Sequence, residues 1–201
     1  MRPLFIVLWC FFVWTGGYSQ IINEDYALGL RLEFEGDYIG ALIALNKAVE
    51  ENPERYDYYK SRGDVLVELD DLKGAMADFN KAIELIPEYA GAYSGRGDVK
   101  DRLGDYRGAI ADYNKAIELD PDIWRYYYQR GNAKYPLADY KGAMADYNKA
   151  IEILPSFTNS YYNRGLAKLN LNDLDGACLD WSKAGELGMG EAYDMIKKYC
   201  N

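Results

Sequence analysis

The sequence predicts an all-α solenoid of stacked helix pairs, because small residues and prolines return along the chain with a fixed period. The period is 34 residues and has no insertions. Three series follow it: Gly29, Gly63, Gly97, Gly131 and Gly165; Ala41, Ala75, Ala109, Ala143 and Ala177; and Pro53, Pro87, Pro121 and Pro155, with Met189 in the fifth place. A repeat of this length is typical of helix–turn–helix units that bury their apolar faces against each other.

The first residues predict a secretory signal peptide. Arg2 precedes an apolar run from Leu4 to Trp14, and small residues follow at Gly17 and Ser19. This layout predicts that residues 1–19 are a signal peptide, cleaved after Ser19 or Gln20. We therefore expect a secreted or periplasmic protein. The alternative is a membrane tether formed by an uncleaved signal anchor.

Five units follow when the chain is aligned on the recurring glycines. They are residues 22–55, 56–89, 90–123, 124–157 and 158–191. Each unit has 34 places, so that place 8, for example, is Gly29 in unit one and Gly63 in unit two. Each unit starts with a helical pattern, continues through a short turn that contains Asp, and ends with a second helical pattern. In four units a proline then ends the second helix.

The third unit resembles the tetratricopeptide repeat. The resemblance rests on Tyr93, Gly97, Gly104-Asp105-Tyr106, Ala109, Tyr113, Ala116 and Pro121, and it extends over residues 22–191. It implies antiparallel helix pairs, stacked into a right-handed superhelix whose first helices line a concave groove. Glycine at place 8 and alanine at places 20 and 27 would let the helices approach closely, and large residues at places 4 and 24 would fill the gaps.

The arginine at place 7 and the aspartate at place 23 are either both present in a unit or both absent. Units two to five have Arg at place 7 and Asp at place 23, whereas unit one has Leu28 and Ala44. The predicted pairs are Arg62 with Asp78, Arg96 with Asp112, Arg130 with Asp146, and Arg164 with Asp180. Residues that appear and disappear together indicate a contact, so we expect a structural salt bridge between the two helices of each unit.

Unit four and the C-terminus depart from the pattern. Pro136 stands late in the first helix of unit four, which it should bend or end. Residues 192–201 predict an amphipathic helix that caps the open end of the stack. Cys178 and Cys200 are predicted to form a disulfide between the last unit and this cap, in an oxidising compartment. Two separate buried thiols are the alternative.

Composition excludes several functions. The chain of 201 residues has 23 basic and 32 acidic residues, a net charge of −9, and no histidine. This charge disfavours binding to nucleic acids and to anionic lipids. No phosphate-binding loop, zinc pattern or nucleophile elbow occurs, and histidine, the commonest general base, is absent. We therefore expect no catalysis, cofactor or metal.

Function is expected on the side of the first helices that faces the groove. The candidate ligand residues are Lys60, Asp64, Asp98, Arg125, Tyr128, Gln129, Asn132, Tyr162 and Asn163. Units two and three present mainly acids, which favour basic ligand side chains, and units four and five present tyrosines and amides, which suit a peptide backbone. We expect Asp64, Asp98, Tyr128 and Tyr162 to be exposed there.

The sequence thus predicts a non-catalytic scaffold that binds an extended peptide or protein segment in its groove. The alternative is a self-associating structural or envelope-assembly protein, and an enzyme is a more distant one. A family subtype grips a ligand's C-terminal carboxylate with Lys, Asn and Arg from three successive units. That pattern fails here, because Asp64 and Gly95 occupy its asparagine places and Gln129 occupies its arginine place.

Overall fold

A computed structural model describes residues 23–200, and within that range all regular structure is helical. The helices are α1 (Glu24–Glu35), α2 (Tyr38–Glu51), α3 (Tyr56–Glu68), α4 (Leu72–Leu85), α5 (Ala90–Arg102), α6 (Tyr106–Leu119), α7 (Trp124–Lys134), α8 (Tyr140–Ile153), α9 (Thr158–Asn170), α10 (Leu174–Glu186) and α11 (Gly190–Tyr199). The predicted signal peptide lies outside the described residues. None of the described helices is both long enough and apolar enough to cross a membrane.

The helices form five antiparallel pairs and a final single helix. Each odd-numbered helix from α1 to α9 packs on the even-numbered helix after it, and each even-numbered helix packs on the first helix of the next pair. This packing confirms the predicted right-handed all-α solenoid. The first helices of neighbouring units stand side by side. Their sides that point away from the second helices form one continuous surface, which is the groove face.

The second helix of every unit starts with the same cap. An aspartate at place 16 accepts a hydrogen bond at its Oδ1 from the backbone N–H of the glycine at place 19, over 2.9–3.0 Å. A Cβ atom on these glycines would lie 2.0–2.6 Å from Oδ2 of the same aspartate. The close approach of the capping carboxylate therefore explains the recurrence of Gly40, Gly74, Gly108, Gly142 and Gly176, for which the repeat pattern offers no reason by itself.

The core of each unit is one large side chain at place 24 packed on the glycine at place 8. The large residues are Leu45, Phe79, Tyr113, Tyr147 and Trp181, all at most 1% exposed. A Cβ atom on Gly97 would lie 2.7 Å from the ring of Tyr113, so only glycine fits there. Full burial of one such apolar side chain stabilises the fold by about 1.5–3 kcal/mol.

The turn inside each unit requires a left-handed residue at its end. Gly36, Asp70, Gly104, Ala138 and Asn172 take this conformation, with φ between 59° and 82°. In unit four α7 ends at Lys134, and a 3-10 turn, Tyr135–Leu137, carries Pro136 before Ala138. Ending the helix early is the effect expected from this proline, because proline lacks the backbone donor that the helix needs.

Helix α11 covers the end of the stack. Ala192 is fully buried, and Met195, Ile196 and Tyr199 pack with it against the cluster around Trp181. Beside this contact the Sγ atoms of Cys178 and Cys200 lie 2.06 Å apart, which is a disulfide bond. The bond joins α10 to the residue that follows α11, so it ties the cap to the last unit.

Candidate functional site

The arginines at place 7 and the aspartates at place 23 form bidentate ion pairs inside their units. In unit two Arg62 donates from Nε and Nη2 to the two oxygens of Asp78, each over 2.7 Å. The equivalent bonds in units three to five span 2.5–2.9 Å. The aspartates are buried, at 3–5% exposure, so these pairs hold the two helices of a unit together and are not available to a ligand.

The same arginines also join neighbouring units, which the sequence reasoning missed. Each one donates from Nη1 to the Oδ1 of an asparagine at place 25 of the preceding unit, as Arg62 does to Asn46 over 3.0 Å. The other bonds are Arg96 to Asn80, Arg130 to Asn114 and Arg164 to Asn148. The sequence does contain a signal for this contact. Asparagine occurs at place 25 in units one to four, each time one unit before an arginine at place 7, and Ser182 replaces it in unit five, which no further unit follows.

Units three to five add a second cation to the buried aspartate. Lys100, Lys134 and Lys168 stand at place 11 and contact the aspartates of their units over 2.7–2.8 Å. Unit two has Leu66 at this place, so the carboxylate of Asp78 has Arg62 as its one ion-pair partner within residues 23–200. The charge balance of unit two is therefore simpler than that of the later units.

A cavity of about 790 Å³ opens on the groove face of units two to four. It lies beside α5, whose groove face carries Gly91, Ser94 and Gly95 at places 2, 5 and 6. Unit four has Arg125, Tyr128 and Gln129 at these places. The cavity exists because one helix in the middle of the row has almost no side chains on this face.

The wall of the cavity is acidic. Its charged residues are Glu33, Asp64, Glu68, Glu88, Asp98 and Asp120 against Lys60 and Arg125. Lys60 donates a short hydrogen bond to Asp64, whereas Arg125 is exposed and makes no hydrogen bond or ion pair within the described part of the chain. Burial raises the pKa of Asp64 in spite of the nearby Lys60, so the carboxylates here are only partly compensated.

Asp98 is held at the cavity by one of its two oxygens. Oδ1 accepts from the hydroxyl of Tyr113 over 2.7 Å and from Nε2 of Gln129 over 3.0 Å. Oδ2 has no hydrogen-bond partner within residues 23–200. Burial raises the pKa of Asp98, and burial together with this carboxylate raises the pKa of Tyr113. The free oxygen of Asp98 is thus a fixed acceptor beside an open space.

In unit four the corresponding polar groups bond to one another. Oδ1 of Asn132 accepts from the hydroxyl of Tyr147 and from Nδ2 of Asn163, each over 3.0 Å. Nδ2 of Asn132 reaches Oε1 of Gln129 over 3.4 Å, and Asn163 also donates to the hydroxyl of Tyr128 over 3.2 Å. These tyrosines and amides therefore satisfy each other, and only a small cavity of about 130 Å³ remains among them.

The expected exposure of the groove residues is wrong. Asp64, Asp98, Tyr128 and Tyr162 are all half-buried, and Arg125 is the one exposed residue of the nine candidates. Tyr128 packs edge-on against Phe157, with ring centroids 4.9 Å apart, and Tyr162 packs on the cluster around Trp181. Both contacts come from within the tyrosine's own unit, so the tyrosines belong partly to the helix packing and only partly to the groove surface.

The arrangement contains groups that can recognise a ligand. Within residues 23–200 no group of three or more Cys, Asp and Glu side chains is arranged to hold a metal ion. What the arrangement supplies is a polar cavity with fixed hydrogen-bond acceptors, an exposed guanidinium and the aromatic residues Phe79, Tyr89 and Tyr126 in its lining.

Three stretches of the chain, residues 63–104, 101–137 and 138–172, match the family model described as TPR repeat. Together they cover more than half of the chain. The protein belongs to the tetratricopeptide-repeat family. The resemblance seen in the third unit is therefore confirmed, and folds of this family are typical of scaffolds for protein–protein interaction. A search of curated proteins gave no match to the sequence.

Solved structures of other tetratricopeptide-repeat proteins share the fold. A crystal structure of MamA is 24% identical, with a TM-score of 0.70, and the match covers 86% of this chain and 98% of MamA. TTC0263 of Thermus thermophilus is 20% identical, with a TM-score of 0.70 and coverages of 88% and 95%. YrrB, described as having an unusual peptide-binding site, is 20% identical, with a TM-score of 0.69 and coverages of 87% and 90%. At this identity the likeness shows the fold alone.

Proposed function

We propose that this protein is a non-catalytic interaction scaffold that binds an extended segment of another protein along its groove. The observation that carries the proposal is the cavity of about 790 Å³ on the groove face, where Arg125 and Oδ2 of Asp98 form no hydrogen bond or ion pair within the described residues. Polar groups that line a concave site without internal partners are those that fix a ligand. The peptide-binding site named for YrrB supports the same kind of ligand.

We further propose that the scaffold works in the secretory or periplasmic compartment. The signal-peptide pattern of residues 1–19 supports this location, and so does the bond between Cys178 and Cys200, because disulfides persist in oxidising compartments. Intact mass spectrometry of the exported protein should reveal a new N-terminus at Gln20 or Ile21. Recovery of a chain that still carries Met1 would favour the membrane tether instead.

A groove-blocking substitution tests the binding site. Gly91 lies in the first turn of α5, and the nearest atoms to a Cβ placed there belong to the Tyr89 side chain, 3.3 Å away in the lining of the cavity. Gly91→Tyr should therefore fill the cavity without disturbing the core. Gly91→Ala is the matched control, since it adds a methyl group at the same position and leaves the cavity open.

The partner is first captured on the wild-type chain from its own cell envelope, and its affinity is then measured for all three proteins. We expect Gly91→Tyr to lower the affinity at least ~tenfold, a change of about 1.4 kcal/mol, and Gly91→Ala to leave it unchanged. Equal binding to wild type and Gly91→Tyr, with both proteins folded by circular dichroism, would reject the groove as the binding site.

Self-association is the second candidate, and exposed apolar side chains in unit one support it. Phe34 is 93% exposed, and Ile39 and Ile43 are 61% and 57% exposed. Contact with a second copy would remove such surface from water. Sedimentation over the micromolar range decides: a constant monomer mass excludes this role, whereas a dimer that Phe34→Ser dissociates supports it.

A further inference from the structure

The cavity beside α5 is lined by a serine whose hydroxyl lacks a partner. Ser94 is only 4% exposed, yet its hydroxyl forms no hydrogen bond within residues 23–200. The oxygen of this hydroxyl is open to the cavity, because within residues 23–200 only Ser160 has a side-chain oxygen that is both fully buried and unpaired. A ligand group that enters the cavity and bonds to this hydroxyl would supply the missing partner.

The charge of the cavity selects the kind of ligand group. Its lining has six acidic and two basic residues. Lys60 is already held by Asp64, and Arg125 acts on Asp98 through its charge but makes no ion pair with it, so Oδ2 of Asp98 has no direct partner within residues 23–200. A carboxylate oxygen in a concave, partly desolvated site attracts a cation much more strongly than one in open water does.

The shape of the cavity favours a side chain that enters from a bound segment. Gly91, Ser94 and Gly95 leave the space open, and a Cβ atom on Gly95 would lie 2.5 Å from the ring of Phe79. The Phe79 ring is itself fully buried, so the apolar part of an entering side chain would pack against the half-buried ring of Tyr89, which also lines the cavity. A long side chain with a methylene stem and a charged head matches both features.

We propose that this cavity binds a lysine or arginine side chain of the extended protein ligand. Oδ2 of Asp98 accepts a hydrogen bond from the cationic head, and the hydroxyl of Ser94 accepts another. Tyr113 and Gln129 hold the carboxylate of Asp98 in place through its other oxygen. This assignment rests on the proposed function, because it concerns the chemistry of a ligand in the same groove.

Selection from random dodecapeptides displayed on phage provides the probe. The selected peptides are synthesised, and in each one the cationic residue is replaced by norleucine, which keeps the stem of lysine and removes its charge. The protein variants are Asp98→Asn, which can keep both hydrogen bonds at Oδ1, and Ser94→Ala. Glu118→Gln is the matched control, because it removes one negative charge from the same unit at an exposed site paired with Lys115.

We expect the selected peptides to share one cationic position. Norleucine at that position should weaken binding to wild type at least ~tenfold, and Asp98→Asn should weaken the parent peptide by a similar factor. The norleucine peptide and the Asp98→Asn protein together should lose little more affinity than either change alone. That result would show that the cationic head and the carboxylate of Asp98 contact each other. Ser94→Ala should weaken binding by a smaller factor, and Glu118→Gln should have no effect.

Two outcomes would overturn the assignment, and they differ in what they say about the proposed function. If peptides compete with each other and are blocked by Gly91→Tyr, but the norleucine exchange has no effect, the groove binds peptides without a cation site. If the selected peptides bind equally well to Gly91→Tyr, the cation site and the groove as a peptide site are both rejected.

Discussion

Asp98 in unit three and Asn132 in unit four stand at the same place of the repeat and make the same bonds. Each accepts at Oδ1 from the tyrosine 15 residues further on and from the amide 31 residues further on. They differ in the other atom of the side-chain head. Oδ2 of Asp98 faces an open cavity without a partner, whereas Nδ2 of Asn132 donates back to Gln129.

This difference divides the groove into an open half, units two and three, and a closed half, units four and five. In the closed half, donors and acceptors are matched and large aromatic rings fill the space. In the open half, small residues on α5 leave a cavity and the acceptors outnumber the donors. The same set of hydrogen bonds can therefore either hold the helices together or line a binding site. The outcome depends on whether place 9 carries an aspartate or an asparagine and on the size of the neighbouring side chains.

The largest expected effect distinguishes the charged pair of unit two, in the open half, from that of unit four, in the closed half. Arg62→Leu leaves the buried Asp78 without a cation within residues 23–200, and an unpaired buried charge costs about 3–5 kcal/mol. Arg130→Leu should cost less, about 1–3 kcal/mol, because Lys134 still contacts Asp146 over 2.8 Å. Urea unfolding measures both losses.

The double substitution Arg62→Leu with Asp78→Ala is the control for this comparison. It should recover much of the loss, because unit one already has Leu28 and Ala44 at these places. Equal losses for Arg62→Leu and Arg130→Leu would contradict the compensating role of Lys134. A double variant as unstable as the sum of its single changes would contradict the pairing itself.

A somewhat smaller loss is expected from the network of the closed half. Asn132→Ala leaves the hydroxyl of Tyr147 unpaired, and because this tyrosine is only 1% exposed the loss should be about 1–3 kcal/mol. Asn132→Asp keeps the acceptor and should lose less. Thermal unfolding of the two variants gives the answer, and an Asn132→Ala protein as stable as wild type would show that the network does not stabilise this half.

A gain in stability is expected at the turn of unit four. Ala138 has φ of 59°, a left-handed conformation that costs a residue with a Cβ atom about 1–2 kcal/mol. Ala138→Gly should raise the free energy of unfolding by about 1 kcal/mol. The reverse change in unit three, Gly104→Ala, should lower it by a similar amount, since Gly104 has φ of 79° and free space around it. Changes of the same sign at both sites would refute the strain at Ala138.

The smallest effect, and the most specific to the open half, concerns Asp98. Burial raises its pKa in the folded protein above the ordinary value of 3.8, so the folded state binds the proton more tightly than the unfolded state does. This contribution to stability is complete below 3.8 and is lost as the pH rises through the raised pKa. The Asp98→Asn variant has no such loss. Its stability relative to wild type should therefore increase as the pH rises from 3.8 through the raised pKa of Asp98, and should remain constant at higher pH.

Thermal unfolding across acidic and neutral pH would detect this change, with Glu118→Gln as the control at an exposed carboxylate. A stability difference between Asp98→Asn and wild type that does not vary with pH would contradict the raised pKa. A gain in stability together with weaker ligand binding would show that the open half keeps Asp98 for recognition at some cost to the fold.

Much of the fold could be predicted from the sequence, because the contacts inside one unit repeat at fixed spacing. The glycines at place 8 and the large residues at place 24 must meet wherever two helices pair in this register. The pairing of Arg130 with Asp146 was predictable for the same reason, since both residues change together in unit one. The end of α7 before Pro136 follows from the covalent structure of proline alone.

The candidate site depends on contacts between units, and these contacts were not predicted from the sequence. The bond from Arg62 to Asn46 crosses a unit boundary, so its signal is shifted by one repeat and is missed when each unit is compared with itself. The exposure of Tyr128 was predicted wrongly because Phe157, from the loop before α9, packs on its ring, and because Asn163 of the next unit donates to its hydroxyl.

The cavity beside α5 is also a product of the tertiary structure. The small residues Gly91, Ser94 and Gly95 were visible in the sequence, but small residues on a helix face usually indicate close packing. Whether such space is filled depends on side chains from other helices, which come together only in the folded chain. Here the ring of Phe79, from α4, fills the space beside Gly95, whereas the space beside Gly91 and Ser94 stays open among the acidic side chains of units one to three.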